Sequence, residues 1–145
     1  MSHDVLSITC SNRREEITRT GRLIEAFGTA HGLSAELVFQ LNLVVDEVVT
    51  NIIRYAYDDE AEHQIHIRVS RDDAEVSVRV EDDGRAFNPL DAPKPDLKLG
   101  IDERPVGGLG VHIVRSLMDA LEYQREDGRN IFIMRKRTGA TKKGL

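Results

Sequence analysis

The chain has one cysteine, no tryptophan, no long apolar run and no excess of positive charge. Each shortage removes a class of protein. Cys10 by itself closes no internal disulfide, and no Cys/His group has zinc spacing, so redox chemistry and structural zinc are set aside. A membrane helix needs about 20 consecutive apolar residues, and no stretch approaches that length. Residues 1–10 lack the basic start and apolar core of a secretory leader, so a cytoplasmic protein without membrane attachment is expected. A net charge of -5 offers no platform for phosphate backbones, so direct nucleic-acid binding is not expected either. The basic run at 135–137, with Lys142 and Lys143, reads as a solvated end.

What is present suffices for one domain. A chain of 145 residues, 40% hydrophobic and 31% charged, buries roughly two-thirds of its unfolded surface in a single core. Val5, Ile8 and Cys10 mark a first strand, and the charged stretch at 12–16 starts a helix carrying Ile17, Leu23, Ile24 and Phe27 that ends at Gly32. Ser34 is placed to cap a second helix, in which Leu37, Leu41, Val45, Val48 and Ile52 recur at three- and four-residue steps. Alternation predicts strands at 64–70 and 75–81, joined by a turn at 71–74. The pattern then lapses from Gly84 to Gly108, and every proline (Pro89, Pro93, Pro95, Pro105) falls in that gap. Connections usually run about 4 to 6 residues, so a gap this long suggests a lid or binding loop, or else a disordered insert. A helix at 111–120, a strand at 121–125, a turn at Asp127-Gly128 and a strand at 131–134 complete the reading.

Three polar islands interrupt this frame. Glu47 and Asn51 stand four apart on one helix face, where a carboxylate and an amide oxygen suit a hydrated magnesium ion or activation of a hydroxyl. Taken alone, the pair also fits the solvated edge of an amphipathic helix. Asp82 ends a strand, with Gly84 two residues on, as a base-recognising carboxylate would beside a backbone open to a flat ligand; an ordinary Asp-Gly loop reads the same way. Gly107, Gly108 and Gly110 lead into a helix, where amides and the helix dipole favour phosphate, although a hinge has the same composition. No Gly-Lys-Ser/Thr follows, so this is not a Walker A loop, and the glycine spacing is not a Rossmann fingerprint.

In order, Glu47-Val48-Val49-Thr50-Asn51, Asp82-Asp83-Gly84 and Gly107-Gly108-Leu109-Gly110-Val111-His112-Ile113-Val114 resemble the N, G1 and G2 boxes of the GHKL ATPase superfamily. Within it, the chain is most similar to the RsbW-type anti-sigma factor serine kinases. The resemblance implies the Bergerat fold, an α+β two-layer sandwich with helices on one face of a mixed, mostly antiparallel sheet. It implies one ATP-binding kinase domain at 1–137, an ATP lid at about 85–106, and a basic, flexible tail at 138–145. By the same resemblance, Asn51 coordinates Mg2+, Glu47 is the general base or orients the nucleophile, and Asp82 recognises the adenine amine. Gly84 lets the base approach. Gly107, Gly108, Leu109 and Gly110 bind phosphate, and Arg104 reaches the γ-phosphate of ATP. Relatives often carry a hydroxyl at the entry to the last strand to support the aspartate, whereas this chain has Asn130, whose amide can take that place. The implied substrate is a serine of a STAS-domain antagonist, with a sigma factor or other regulator competing for the kinase, and a homodimer is possible. Arg13, Arg14 and Arg19 are candidate contact residues. Two other readings are a nucleotide-binding module that only sequesters a regulator, and a histidine-kinase-like ATPase fragment.

Overall fold

The computed structural model describes residues 4–91 and 110–138. Eight regular elements follow in the order β1 (Asp4–Ser11), α1 (Glu15–Ala30), α2 (Ala35–Tyr55), β2 (Gln64–Arg71), β3 (Glu75–Asp82), α3 (Gly110–Leu117), β4 (Ala120–Glu126) and β5 (Arg129–Arg137), with a short 3-10 turn at Pro89–Asp91. The strands form one sheet in the order β1-β2-β3-β5-β4, and each described pairing is antiparallel.

Alternating side chains give this sheet two unlike faces. Ile8, Ile67, Val80, Phe132 and Tyr123 stand in register across all five strands, and Leu6, Val69, Val78, Met134 and Leu121 form the next row. Most of these residues are buried, together with Ile24 and Phe27 of α1, Leu41, Val45, Val48 and Ile52 of α2, and Val114 of α3. Each fully buried aliphatic side chain contributes about 1.5–3 kcal/mol, so the common face of sheet and helices holds the domain together. The opposite face carries Arg79, Glu81, Arg129, Arg135, Glu75 and Glu122 in partly exposed ion pairs, Arg79 with Glu81 along β3 and the others across strands. Pairs at that exposure add little stability, and they leave this side of the sheet polar.

Local chemistry sets the helix ends. Ser34 Oγ accepts from the Leu37 amide at 3.1 Å, the expected N-cap of α2. Gly32 at φ 72° terminates α1, with the Leu33 amide returning to the Gly28 carbonyl at 2.9 Å. The helix expected at 111–120 is shorter, because Asp119 leaves it for the sheet: its amide donates to Arg135 O at 2.8 Å and its carboxylate accepts from the Arg137 amide at 2.6 Å. Lys136 Nζ reaches the Leu117 carbonyl at 2.7 Å and closes the helix end. The last strand runs beyond the expected 131–134 to Arg129–Arg137, since pairing with both β3 and β4 holds polar residues that local propensity would release. No helix among the described residues is long and apolar enough to cross a membrane.

Candidate functional site

α2 is the platform. Its apolar stripe faces the sheet, which leaves Glu47 and Asn51 on the adjoining flank one turn apart. Asn51 is 2% exposed, and its amide nitrogen donates to the Pro89 carbonyl at 3.3 Å, while its Oδ1 is buried without a partner among the described residues. Glu47 Oε2 is likewise buried and unpartnered. Burial raises the Glu47 carboxyl above the usual range, a hydrogen bond from Asn51 opposes that rise, Asp46 adds to it and Arg54 lowers it. A buried acceptor left unsatisfied costs about 1–3 kcal/mol, so two of them on neighbouring turns form a position that favours a cation.

Asp82 is 1% exposed at the end of β3. Its Oδ1 accepts from the Gly84 amide at 2.8 Å and from Asn130 Nδ2 at 2.9 Å. Both of these bonds fall on Oδ1, so neither uses Oδ2. Burial raises the Asp82 carboxyl, against lowering by Asn130 and Gly84, raising by Asp83 and lowering by Arg125.

Asn130, itself 1% exposed, is the hub behind this carboxylate. Nδ2 also donates to Arg85 O at 2.7 Å, and Oδ1 accepts from Phe87 N at 3.1 Å, from Arg125 Nη1 at 3.0 Å and from the Tyr123 hydroxyl at 2.5 Å. Arg125 Nη1 further reaches Gly84 O at 2.8 Å. An amide serves here because one end must donate to a carboxylate while the other accepts from three donors. The support expected of Asn130 is present, but Tyr123 and Arg125 were not marked by the sequence, since both lie on a half-exposed edge strand with no motif around them.

Gly84 has a structural reason of its own. A Cβ there would lie 2.4 Å from the Ala56 carbonyl oxygen and 2.8 Å from its Cβ, and the next amide, of Arg85, donates to that carbonyl at 2.8 Å. The turn after β3 is therefore seated on the C-terminal end of α2. Arg85 Nε adds a bond to the Tyr55 carbonyl at 2.8 Å, and the Phe87 ring lies 5.8 Å from that of Tyr55. Gly84→Ala forces a methyl group against the Ala56 backbone and is expected to lower stability by about 1–3 kcal/mol, read as a fall in the urea midpoint.

The first two islands thus converge: the chain leaves Asp82, crosses the end of α2 and places Pro89 on Asn51. Of the third, Gly110 opens α3, which packs against α2. Gly107, Gly108, Leu109 and Arg104 lie outside the described residues, as does the rest of the expected lid beyond residue 91 and the tail from residue 139. Arg13 pairs with Glu62 at 3.5 Å and Arg19 with Glu16 at 3.1 Å, all at the surface.

A half-buried carboxylate, an amide oxygen without a partner among the described residues and a buried carboxylate thus stand on one helix and the adjoining strand end. The family described as "Histidine kinase-like ATPase domain" matches residues 10–136, and the chain belongs to it. Serine/threonine-protein kinase BtrW of Bordetella bronchiseptica is 38% identical over 97 residues, covering 67% of this chain and 68% of that protein. Serine-protein kinase RsbW of Listeria innocua is 26% identical over 132 residues, covering 87% and 83%. A solved histidine kinase domain from the Erythrobacter litoralis EL346 blue-light activated histidine kinase superposes with a TM-score of 0.53 at 23% identity, over 88% of this chain and 63% of that one. That likeness shows the fold.

Proposed function

We propose that the protein is an ATP-dependent protein serine kinase that works as a partner switch. The observation that carries this reading is the pair of buried acceptors, Asn51 Oδ1 and Glu47 Oε2, one helical turn apart and without partners among the described residues. Hard oxygen donors left without hydrogen-bond partners fit a hydrated magnesium ion, which Asn51 would hold with Glu47 close by. When bound, magnesium offsets charge across the β- and γ-phosphates. Glu47, its proton affinity raised by burial, accepts the proton of an incoming serine hydroxyl. The serine oxygen bonds to the γ-phosphorus, the bond from that phosphorus to the β,γ-bridging oxygen breaks, and ADP leaves. Asp82, through Oδ2, takes the adenine amine, and Gly107, Gly108, Leu109 and Gly110, with Arg104, take the phosphates.

The names of BtrW and RsbW support serine as the acceptor. The substrate we infer is a small STAS-domain antagonist, and a sigma factor or another regulator competes with it for the kinase. A homodimer belongs to the same reading. Incubation with γ-labelled ATP, magnesium and a STAS-domain protein is expected to place label on a partner serine. Label on a histidine, or nucleotide binding without transfer to any partner, would overturn the serine-kinase assignment.

A further inference from the structure

We propose that His63 is a positioning residue for the nucleotide site, a charged clamp that holds the Asp82-Asp83-Gly84 turn from behind. The proposal rests on the ATP-site reading above. His63 lies in the connection between α2 and β2, and its two ring nitrogens meet two carboxylates: Nε2 stands 2.7 Å from Asp59 Oδ1, and Nδ1 stands 3.1 Å from Asp83 Oδ1. Carboxylates only accept, so both contacts are hydrogen bonds only when both ring nitrogens carry protons. The ring is also fixed in orientation, stacked on Tyr57 at 4.3 Å and 13°. Its backbone is pinned by reciprocal bonds with Asn12, at 3.0 Å from His63 N to Asn12 Oδ1 and 3.0 Å from Asn12 N to His63 O. An imidazolium held this firmly ties Asp83, the residue next to the base-recognising carboxylate, to the rest of the domain.

The electrostatic surroundings agree with a charged ring. Asp59 raises the His63 pKa most, through its hydrogen bond, with further raising from Asp83 and a lowering from burial. The other charges in this connection point elsewhere or into solvent: Asp58 turns to Arg85 at 3.6 Å, Glu62 to Arg13 at 3.5 Å, and Glu60 is exposed. Because the folded-state pKa lies above the unfolded one, the clamp is complete below the unfolded pKa and is lost as pH rises through the folded value. On losing a proton, the ring keeps its donor toward the nearer Asp59. The bare Nδ1 then faces the Asp83 carboxylate, and the turn is released.

The expected result is a pH dependence of ATP affinity that belongs to His63. Calorimetric titration with Mg·ATP should show affinity of the unmodified protein falling, relative to His63→Gln, by about fivefold or more as pH rises through the His63 pKa, the low end of ordinary coupling. Asp83→Asn should flatten the difference as His63→Gln does, whereas Asp59→Asn should move its midpoint to lower pH. By reciprocity, ATP should raise the His63 pKa followed by NMR of the ring protons, a readout that needs no variant. Identical pH profiles for the unmodified protein and His63→Gln, with an His63 pKa unmoved by ATP, would overturn the clamp and leave the ATP site standing. Absence of Mg·ATP binding at every pH would overturn both.

Discussion

Glu47→Gln is expected to lower the rate of phosphoryl transfer by about 10²- to 10⁴-fold, the usual contribution of a positioned general base. The amide keeps the size of the side chain and its place on α2, so ATP affinity should change only a few-fold. The same substitution should stabilise the fold at neutral pH. A carboxyl whose folded pKa is raised by burial costs stability wherever it is ionised, and that cost is relieved as pH falls through the raised value. The gain of Glu47→Gln in thermal midpoint should therefore be present at neutral pH and fade in acid. A catalytic loss accompanied by a gain in stability is the signature of a group kept for chemistry. A loss of both would mark Glu47 as a structural residue.

Asp82→Asn is expected to weaken ATP binding by about 10- to 100-fold, which corresponds to losing a hydrogen bond to a charged acceptor. The fold should survive. An asparagine oxygen in the place of Oδ1 still accepts from Gly84 N and Asn130 Nδ2, and the desolvated charge is removed. What is lost is the second acceptor, since the new NH2 points where the adenine amine would arrive and donor meets donor. Guanine presents a carbonyl at the corresponding position, so the variant should lose its preference for ATP over GTP. Competition between the two nucleotides, measured by displacement of a fluorescent ATP analogue, checks both expectations together.

The sequence conveyed the parts of this molecule that local physics controls. The stripe of Leu41, Val45, Val48 and Ile52 is buried in α2, Ser34 caps that helix, and alternation in β2 and β3 matches the two faces of the sheet. Asn130 was legible only through the family resemblance, which marks the entry to the last strand as the place of a group supporting Asp82, and its Nδ2 does donate to that carboxylate. The end of α3 was not legible, because Asp119 answers to Arg135 and Arg137 across the sheet rather than to its own turn. Contacts between residues far apart in the chain were equally silent. Asn51 meets Pro89, Gly84 meets Ala56, and His63 meets Asp83, and no local pattern encodes any of them. Glu47 and Asn51 alone read as a solvated helix edge; the burial of Glu47 Oε2 and Asn51 Oδ1 without partners among the described residues was not legible.

The central claim is that α2 and the turn after β3 together bind ATP with a magnesium ion held at Asn51. Calorimetric titration of the protein with ATP, in excess magnesium and again with a chelator, tests it most directly, with Asn51→Ala measured in parallel. Clear binding with magnesium, weakened by the chelator, and an Asn51→Ala protein whose residual binding no longer responds to magnesium, is the result predicted here. Equal affinity with and without magnesium, or no heat of binding in either condition, would contradict it.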